Sequence, residues 1–315
     1  MRRLTMRGRR RDQPAAWVLS GGGARGAAQV GVIQALLERG IAPTTAVFGT
    51  SVGALDGAVI SAWPNLEGAE LLQQLWRSRP AAEVFRVHSL GALRSRLAGQ
   101  LGIPSPGPVQ ALIDRFELAT GCGSFEDLQV PLRVVATDLR AGCPVVFRSG
   151  PLAPPLMASA AIPGVFPPVE VGDHICCDGG IVDNAPISIA VEEGYGTILA
   201  IGLMAGGELS SAPSSWTELI ARSLQLSLHQ RLLSDFHRLR GRARIVVICP
   251  ITSPRSAWDM RPAHVQSLIA RSRDAVLDLL ADEGGALFGR SAIYYLDVGG
   301  EADRRSRATW LAEAV

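Results

Sequence analysis

Apolar residues in this chain fall into short solid runs separated by longer stretches with helical spacing. That alternation predicts an α/β protein. Ala15–Ser20 reads as a strand buried on both faces, and Gly21–Gly26 follows as a glycine-rich loop. In Ala28–Arg39, Val30, Ile33 and Leu37 share one stripe, and Arg39 with Gly40 supplies a helix stop. Thr45–Phe48 predicts a second strand that runs into Gly49–Gly53; Ser51–Ile60, rich in Ala and Gly, predicts a closely packed helix. Residues 64–125 read as mostly helical. Further strands are expected at Leu132–Ala136, Pro144–Phe147, Ile175–Cys177 and Thr197–Ile201. Strands separated by helices imply a parallel-rich sheet covered on both faces.

The last third adds a long helix, opened by the capping-box pair Ser215 and Glu218 and stopped at Gly241. Its Leu219, Ile220, Leu224, Leu228, Leu232 and Phe236 lie near one face. A strand at Ile245–Ile248 follows. Pro262 then opens another helix, carrying Val265, Leu268, Ile269, Val276 and Leu279. There are no repeats, and no linker is long enough to separate two domains.

Composition narrows the class. Apolar residues at 47% and charged residues at 19% are those of a globular chain rather than a disordered one. The net charge of +2 conceals an asymmetry, because Arg2, Arg3, Arg7, Arg9, Arg10 and Arg11 precede the first acid. The body is therefore mildly acidic, which argues against specific nucleic-acid binding by the fold. The basic start reads as a solvated leader, with Met6 as a second possible initiator, or as an arm that touches anionic lipid or nucleic acid. No Lys occurs, and no mechanism follows from that.

Cys122, Cys143, Cys176, Cys177 and Cys249 show no C-x-x-C spacing, and adjacent strand cysteines point to opposite faces. A reduced, cytoplasmic setting and no metal are expected. Ala15–Leu19 is too short for a secretory core, and no run approaches the roughly 20 apolar residues that span a bilayer. The expectation is a soluble protein or one peripheral to a membrane.

Two glycine motifs carry chemistry. Gly49-Thr50-Ser51-Val52-Gly53 fits G-x-S-x-G where a strand turns into a helix, the context of a nucleophile elbow. Gly49 and Gly53 lack Cβ atoms and allow strand and helix to approach. Gly21-Gly22-Gly23-Ala24-Arg25-Gly26 fits G-x-G-x-x-G. A dinucleotide fingerprint would need an acidic residue about 20 positions on, and the second strand ends in Gly49–Ser51 instead. A phosphate loop would need Gly-Lys-Ser/Thr, which is absent. An oxyanion hole fits, because amides of a glycine-rich turn at a helix N-terminus face developing negative charge.

A serine hydroxyl needs a base. His88, His174, His229, His237 and His264 lie in no recognisable catalytic loop. Asp178, in Asp178-Gly179-Gly180 after a strand, is the stronger candidate, with an ordinary Asp-Gly turn as its bland reading.

The three motifs in this order resemble the patatin-like phospholipase family, in its bacterial, neuropathy-target-esterase-like branch. The resemblance runs through Ala28–Ala35, Thr50–Ala58, Ala136–Leu139, Ala158–Pro167 and Asp178–Pro186, and covers roughly residues 15–203. It implies a three-layer α/β/α fold with a mostly parallel central sheet. It also implies a Ser51–Asp178 dyad without histidine, an acyl-enzyme, an oxyanion hole formed by the Gly22, Gly23 and Ala24 amides, and no cofactor. Arg25 would hold the loop or a lipid phosphate. Gln29 departs from the histidine many relatives carry there, which leaves the dyad untouched.

The expected division is a basic flexible tail over 1–14, a catalytic unit over 15–205 and a helix-rich extension over 206–315 packed on the same domain. The substrate would be a fatty-acyl ester of a phospholipid, lysophospholipid or related lipid, with parts of Leu152–Phe166 lining an acyl pocket. Two other functions compete. One is an esterase triad in which His229, His237 or His264 completes Ser…acid…His. The other is a module that binds lipid or protein without turnover.

Overall fold

The protein is described by a computed structural model over residues 14–86, 107–205, 216–252 and 259–298. The basic tail over 1–13, His88 and Ser215 lie outside the described residues. The elements run β1 (Ala16–Leu19), α1 (Gly26–Glu38), β2 (Ala46–Thr50), α2 (Val52–Ala62), α3 (Leu66–Trp76), α4 (Arg79–Arg86) and α5 (Gly107–Thr120). Then come β3 (Leu132–Asp138), β4 (Cys143–Phe147), α6 (Ala153–Ser159), β5 (Val169–Val171), β6 (His174–Asp178), α7 (Ile187–Glu192), β7 (Thr197–Ile201) and β8 (Met204–Ala205). Last are α8 (Trp216–Leu239), β9 (Arg244–Thr252), α9 (Pro262–Glu283) and β10 (Ala292–Asp297).

Two-residue periodicity builds the layers. Successive strand side chains point to opposite faces. Trp17 and Leu19 of β1, Leu199 and Ile201 of β7, and Val246 and Ile248 of β9 enter one core with α1, α2, α3, α5, α6 and α9. Ala16 and Val18, Ile198 and Ala200, and Ile245 and Val247 enter the other, with α7 and the C-terminal part of α8. Strands that feed two cores must be apolar throughout, and β1 and β2 are buried at every position. The result is a three-layer α/β/α fold.

The sheet order is β10-β9-β7-β1-β2-β3-β6-β5, with β4 also on β3 and β8 on β9. From β10 to β3 the pairings are parallel; β4, β5 and β6 join antiparallel. The expected strands lie where the sequence put them, within a few residues. The short β5 and β8 and the final β10 go beyond that reading. Within residues 216–298, β9, at the strand expected over Ile245–Ile248, and β10 extend the sheet past β7. Helix α9 lies on α1, where a Cβ on Gly31 would strike the Ile269 carbonyl oxygen, and Arg273 pairs with Glu38 at 2.8 Å.

The apolar face expected along the long helix holds only in part. Leu232 and Phe236 are buried, whereas Leu219, Ile220 and Leu224 are exposed. At 1.5 Å per residue the 24-residue α8 is about 36 Å long, roughly twice the five-residue β7 with which it shares a core. Its N-terminal half overhangs the sheet. Among the described residues no helix is long and apolar enough to cross a membrane.

Candidate active site

Strand β3 acts as a template for two strand ends. On one side it pairs with β4 through Val134–Asp138. Its other side is shared by β2, whose Thr50 lies opposite Val135, and by β6, whose Asp178 lies opposite Ala136. The parallel β2 and the antiparallel β6 therefore meet head-on. Their tips deliver Ser51 and Asp178, 127 positions apart in the chain, to one point.

Ser51 takes φ 55° and ψ −127° and is the one non-glycine residue with positive φ among the described residues. Such a conformation costs on the order of 1–3 kcal/mol and persists only where the surroundings enforce it. Enforcement comes from both sides. The Ser51 N–H donates to Ser159 Oγ at 2.8 Å, and that hydroxyl donates to the Val135 carbonyl at 2.6 Å. Behind the turn, a Cβ on Gly53 would strike the Leu19 carbonyl, and one on Gly49 would lie 2.6 Å from Ala54 Cα. Gly53→Ala should therefore lower stability by about 2 kcal/mol or more in urea unfolding. The control Gly57→Ala should change it by under about 1 kcal/mol, because its methyl would approach only side-chain ends, the nearest at 3.2 Å.

Ser51 Oγ donates to Asp178 Oδ2 at 2.6 Å. Asp178 Oδ1 accepts the Gly180 N–H at 2.8 Å, and Thr137 Oγ1 donates to the Asp178 carbonyl at 2.9 Å. Gly179 packs where a Cβ would strike the Val135 carbonyl. Burial pushes the Asp178 carboxyl up to about 6, against the lowering pull of the Ser51 and Gly180 hydrogen bonds. A carboxyl poised there is ionised at neutral pH yet basic enough to take a proton.

The glycine loop lies over the elbow. A Cβ on Gly21 would come within 3.0 Å of Ser51 Cβ. Gly23 uses the left-handed region at φ 63°, which turns the chain through Gly23–Arg25 into α1. Two of its amides are already committed: Gly21 N–H donates to the Asn184 carbonyl at 3.0 Å, and Gly26 N–H turns back to Ala24 and Gly23. Neither can serve a developing oxyanion, which narrows the expected Gly21–Gly26 set. Arg25 Nε donates to the Gly22 carbonyl at 3.2 Å. Burial lowers its pKa to about 10, so it stays cationic. Gln29 is buried behind the loop, facing the Ser20 carbonyl.

Ser51 and Gly23 open onto a cleft with a mostly apolar lining. From the expected Leu152–Phe166 stretch, Leu156, Ala160 and Ile162 line it, while Leu152, Val165 and Phe166 are core. The rest of the wall comes mainly from α2, through Val52, Leu55 and Val59, and from α3 and α5, through Leu72, Trp76, Ile113 and Phe116; the sequence reading left α3 and α5 without a role. Ser159 was likewise quoted only within a motif; its burial between two strand ends has no local sequence signal.

The histidines among the described residues have other neighbours. His174 bonds Asp138 at 2.6 Å, His264 faces Asp259 at 3.9 Å, and His237 packs edge-on against Phe236. His229 lines a second pocket that reaches Gly21, Gly22 and Arg25. Among the described residues no three His, Cys, Asp or Glu side chains gather as a metal site requires.

The chain is similar to several known proteins. It is 37% identical to an uncharacterized NTE family protein of Mycobacterium tuberculosis over 175 residues, 55% of this chain and 44% of that one. It is 31% identical to patatin-like phospholipase domain-containing protein 7 of Rattus norvegicus over 188 residues, 59% of this chain and 13% of that one. It thus spans less than half the length of these relatives. Among solved structures, VipD from Legionella pneumophila matches with a TM-score of 0.47 at 17% identity, over 86% of this chain and 67% of that one. The sequence model of the patatin-like phospholipase family matches residues 17–191, which include the glycine loop, the Ser51 turn and Asp178; with more than half of its length so matched, the chain belongs to that family.

Proposed function

We propose that the protein is a serine acyl hydrolase that cleaves fatty-acyl esters of phospholipids, lysophospholipids or related lipids, with Ser51 as nucleophile and Asp178 as base. The observation that carries this reading is the 2.6 Å hydrogen bond between Ser51 Oγ and Asp178 Oδ2 at the end of an apolar cleft. In the proposed reaction Asp178 takes the hydroxyl proton as Oγ attacks the ester carbonyl. The tetrahedral oxyanion is met by the amides of Gly22, Gly23 and Ala24, backed by the N-terminus of α1 and the Arg25 charge. Collapse forms the acyl-enzyme and hands the proton to the leaving alcohol. Water, deprotonated by the same carboxylate, then releases the fatty acid.

The direct bond leaves no place for an imidazole between acid and serine, which favours a dyad over a triad. The five cysteines are free, in keeping with a cytoplasmic site of action, and the substrate class brings the protein to a membrane surface.

A fluorophosphonate ester tests the reading, because it modifies only an activated serine. Peptide mapping should find the adduct on Ser51, with a labelling rate that climbs about tenfold per pH unit below 6 and levels off above it. The sign follows from Asp178: the base works only when ionised, and its pKa is raised to about 6. An unlabelled protein, or an adduct on another residue, rejects the assignment.

A further inference from the structure

The outer face of α8 changes character along its length. At about 100° per residue, Leu219, Ile220, Leu224 and Leu226 fall on one arc of roughly 160°, with Ser223 and Ser227 between them. The four apolar residues are 55, 56, 45 and 47% exposed. Further on, the helix packs on the sheet through Leu232, Phe236 and Leu239. There the same arc carries Gln230, Ser234, His237 and Arg238, all exposed. The outer face is therefore polar where the helix overlies the sheet and apolar where it overhangs. Exposed apolar side chains gathered in one place mark a surface for a partner.

Topology puts the overhang at the edge of the sheet that bears the site. Helix α8 connects β7 to the parallel β9 and so runs against both. Strand β7 ends at Ile201, opposite Leu19, beyond which β1 becomes the glycine loop. A Cβ on Gly202 would lie 3.3 Å from Leu232 Cδ2, so the helix is level with that strand end at Leu232. One and two turns earlier, Leu228 and Gln225 line the second pocket together with Gly21 and Gly22. At 1.5 Å per residue, Leu219 is about 20 Å further along the axis than Leu232. The apolar end therefore projects past β7 at the edge that carries the glycine loop and Ser51.

We infer that Leu219, Ile220, Leu224 and Leu226 dip into the surface of a lipid bilayer and hold the protein with its Ser51 edge facing the membrane. This rests on the acyl-hydrolase reading, which supplies the identity of the partner: the ester lies in a bilayer, and an anchor beside the site brings the two together. Charge agrees. Residues 219–230 hold one full-time cation, Arg222, and no acid, so an anionic leaflet meets no like charge there. A second copy of the chain fits less well. Four half-exposed side chains offer on the order of a few hundred Å², whereas a stable dimer buries roughly 800 Å² per partner.

The test uses the full chain carrying Ser51→Ala, so that no lipid is consumed, and vesicles of equal parts phosphatidylcholine and phosphatidylglycerol. In flotation, Leu219→Gln, Ile220→Gln, Leu224→Gln and Leu226→Gln together should weaken partitioning by at least about tenfold. With Ser51 restored, the same four changes should leave hydrolysis of a soluble short-chain p-nitrophenyl ester unchanged and lower hydrolysis of vesicle phospholipid by a similar factor. Hydroxyl-radical footprinting needs no change at α8: vesicles should cut oxidation of Leu219–Leu226 severalfold and spare His237. Equal partitioning by parent and variant, or oxidation of Leu219–Leu226 unaffected by vesicles, overturns the inference. A dimer that the four changes dissociate in sedimentation, with vesicle binding unchanged, gives the face to a second copy and overturns it too. If the variant misfolds, the footprint decides alone. Absence of all ester turnover by the wild type removes the hydrolase reading, and flotation and footprinting still decide the membrane contact.

Discussion

Ser51→Ala is expected to lower kcat/KM for p-nitrophenyl fatty-acyl esters by at least about four orders of magnitude while leaving the urea midpoint nearly unchanged. The rate falls because the atom that bonds to the acyl carbon is gone. The glycine amides and the cleft remain and supply only the residual advantage over water that binding and oxyanion stabilisation confer. The fold survives because what holds the elbow is independent of the hydroxyl: the Ser159 bond is to the backbone N–H, and the Gly53 approach is to the Leu19 carbonyl. Alanine occupies φ 55° at about the same cost as serine. Undiminished fatty-acid release by the purified variant would remove Ser51 from the mechanism.

Asp178→Asn should lower kcat/KM by about 10³–10⁴ for a reason of orientation as well as charge. The Gly180 N–H donates to one side of the carboxyl and Ser51 to the other. An amide satisfies Gly180 only by placing its oxygen there, which turns its NH₂ towards Ser51. The serine then faces a donor and has nowhere to send its proton. Stability should move the other way. The folded pKa of about 6 exceeds the unfolded value of 3.8, so ionisation of Asp178 erodes stability as pH rises from about 4 through 6. Asparagine is exempt. It should gain on the order of 2 kcal/mol over wild type at pH 8 and nothing at pH 4, as read from urea unfolding at both values. A variant with wild-type turnover, or one destabilised equally at both pH values, would contradict this account.

The backbone plan was legible because β1 and β2 are solid apolar runs whose ends carry glycine motifs. The two side chains that meet there, Ser51 and Asp178, were legible because each sits at a strand end with its own local signature. What escaped depended on distance. Ser159 meets Ser51 across 108 positions, through strand ends that no periodicity connects. The cleft wall from α3 and α5 has the same amphipathic spacing as helices that merely pack. Leu219 and Leu224 misled for the opposite reason: an apolar stripe records which face is sticky, not where the sheet beneath it stops. The short β5 and β8 are three and two residues long, too brief for alternation to register.

If Ser51 and Asp178 act as proposed, the abutment of two strand tips on β3 makes reactivity a property acquired late. During synthesis the serine is made long before its partner, and until the second tip docks it is an ordinary alcohol with its neighbour missing. On the proposed reading, a chain that lacks that docking has no carboxylate to draw the serine proton. On the proposed reading the same juncture ties activity to register, since a slip of one residue along β3 would part the pair and turn the slipped strand's side chains to the opposite face.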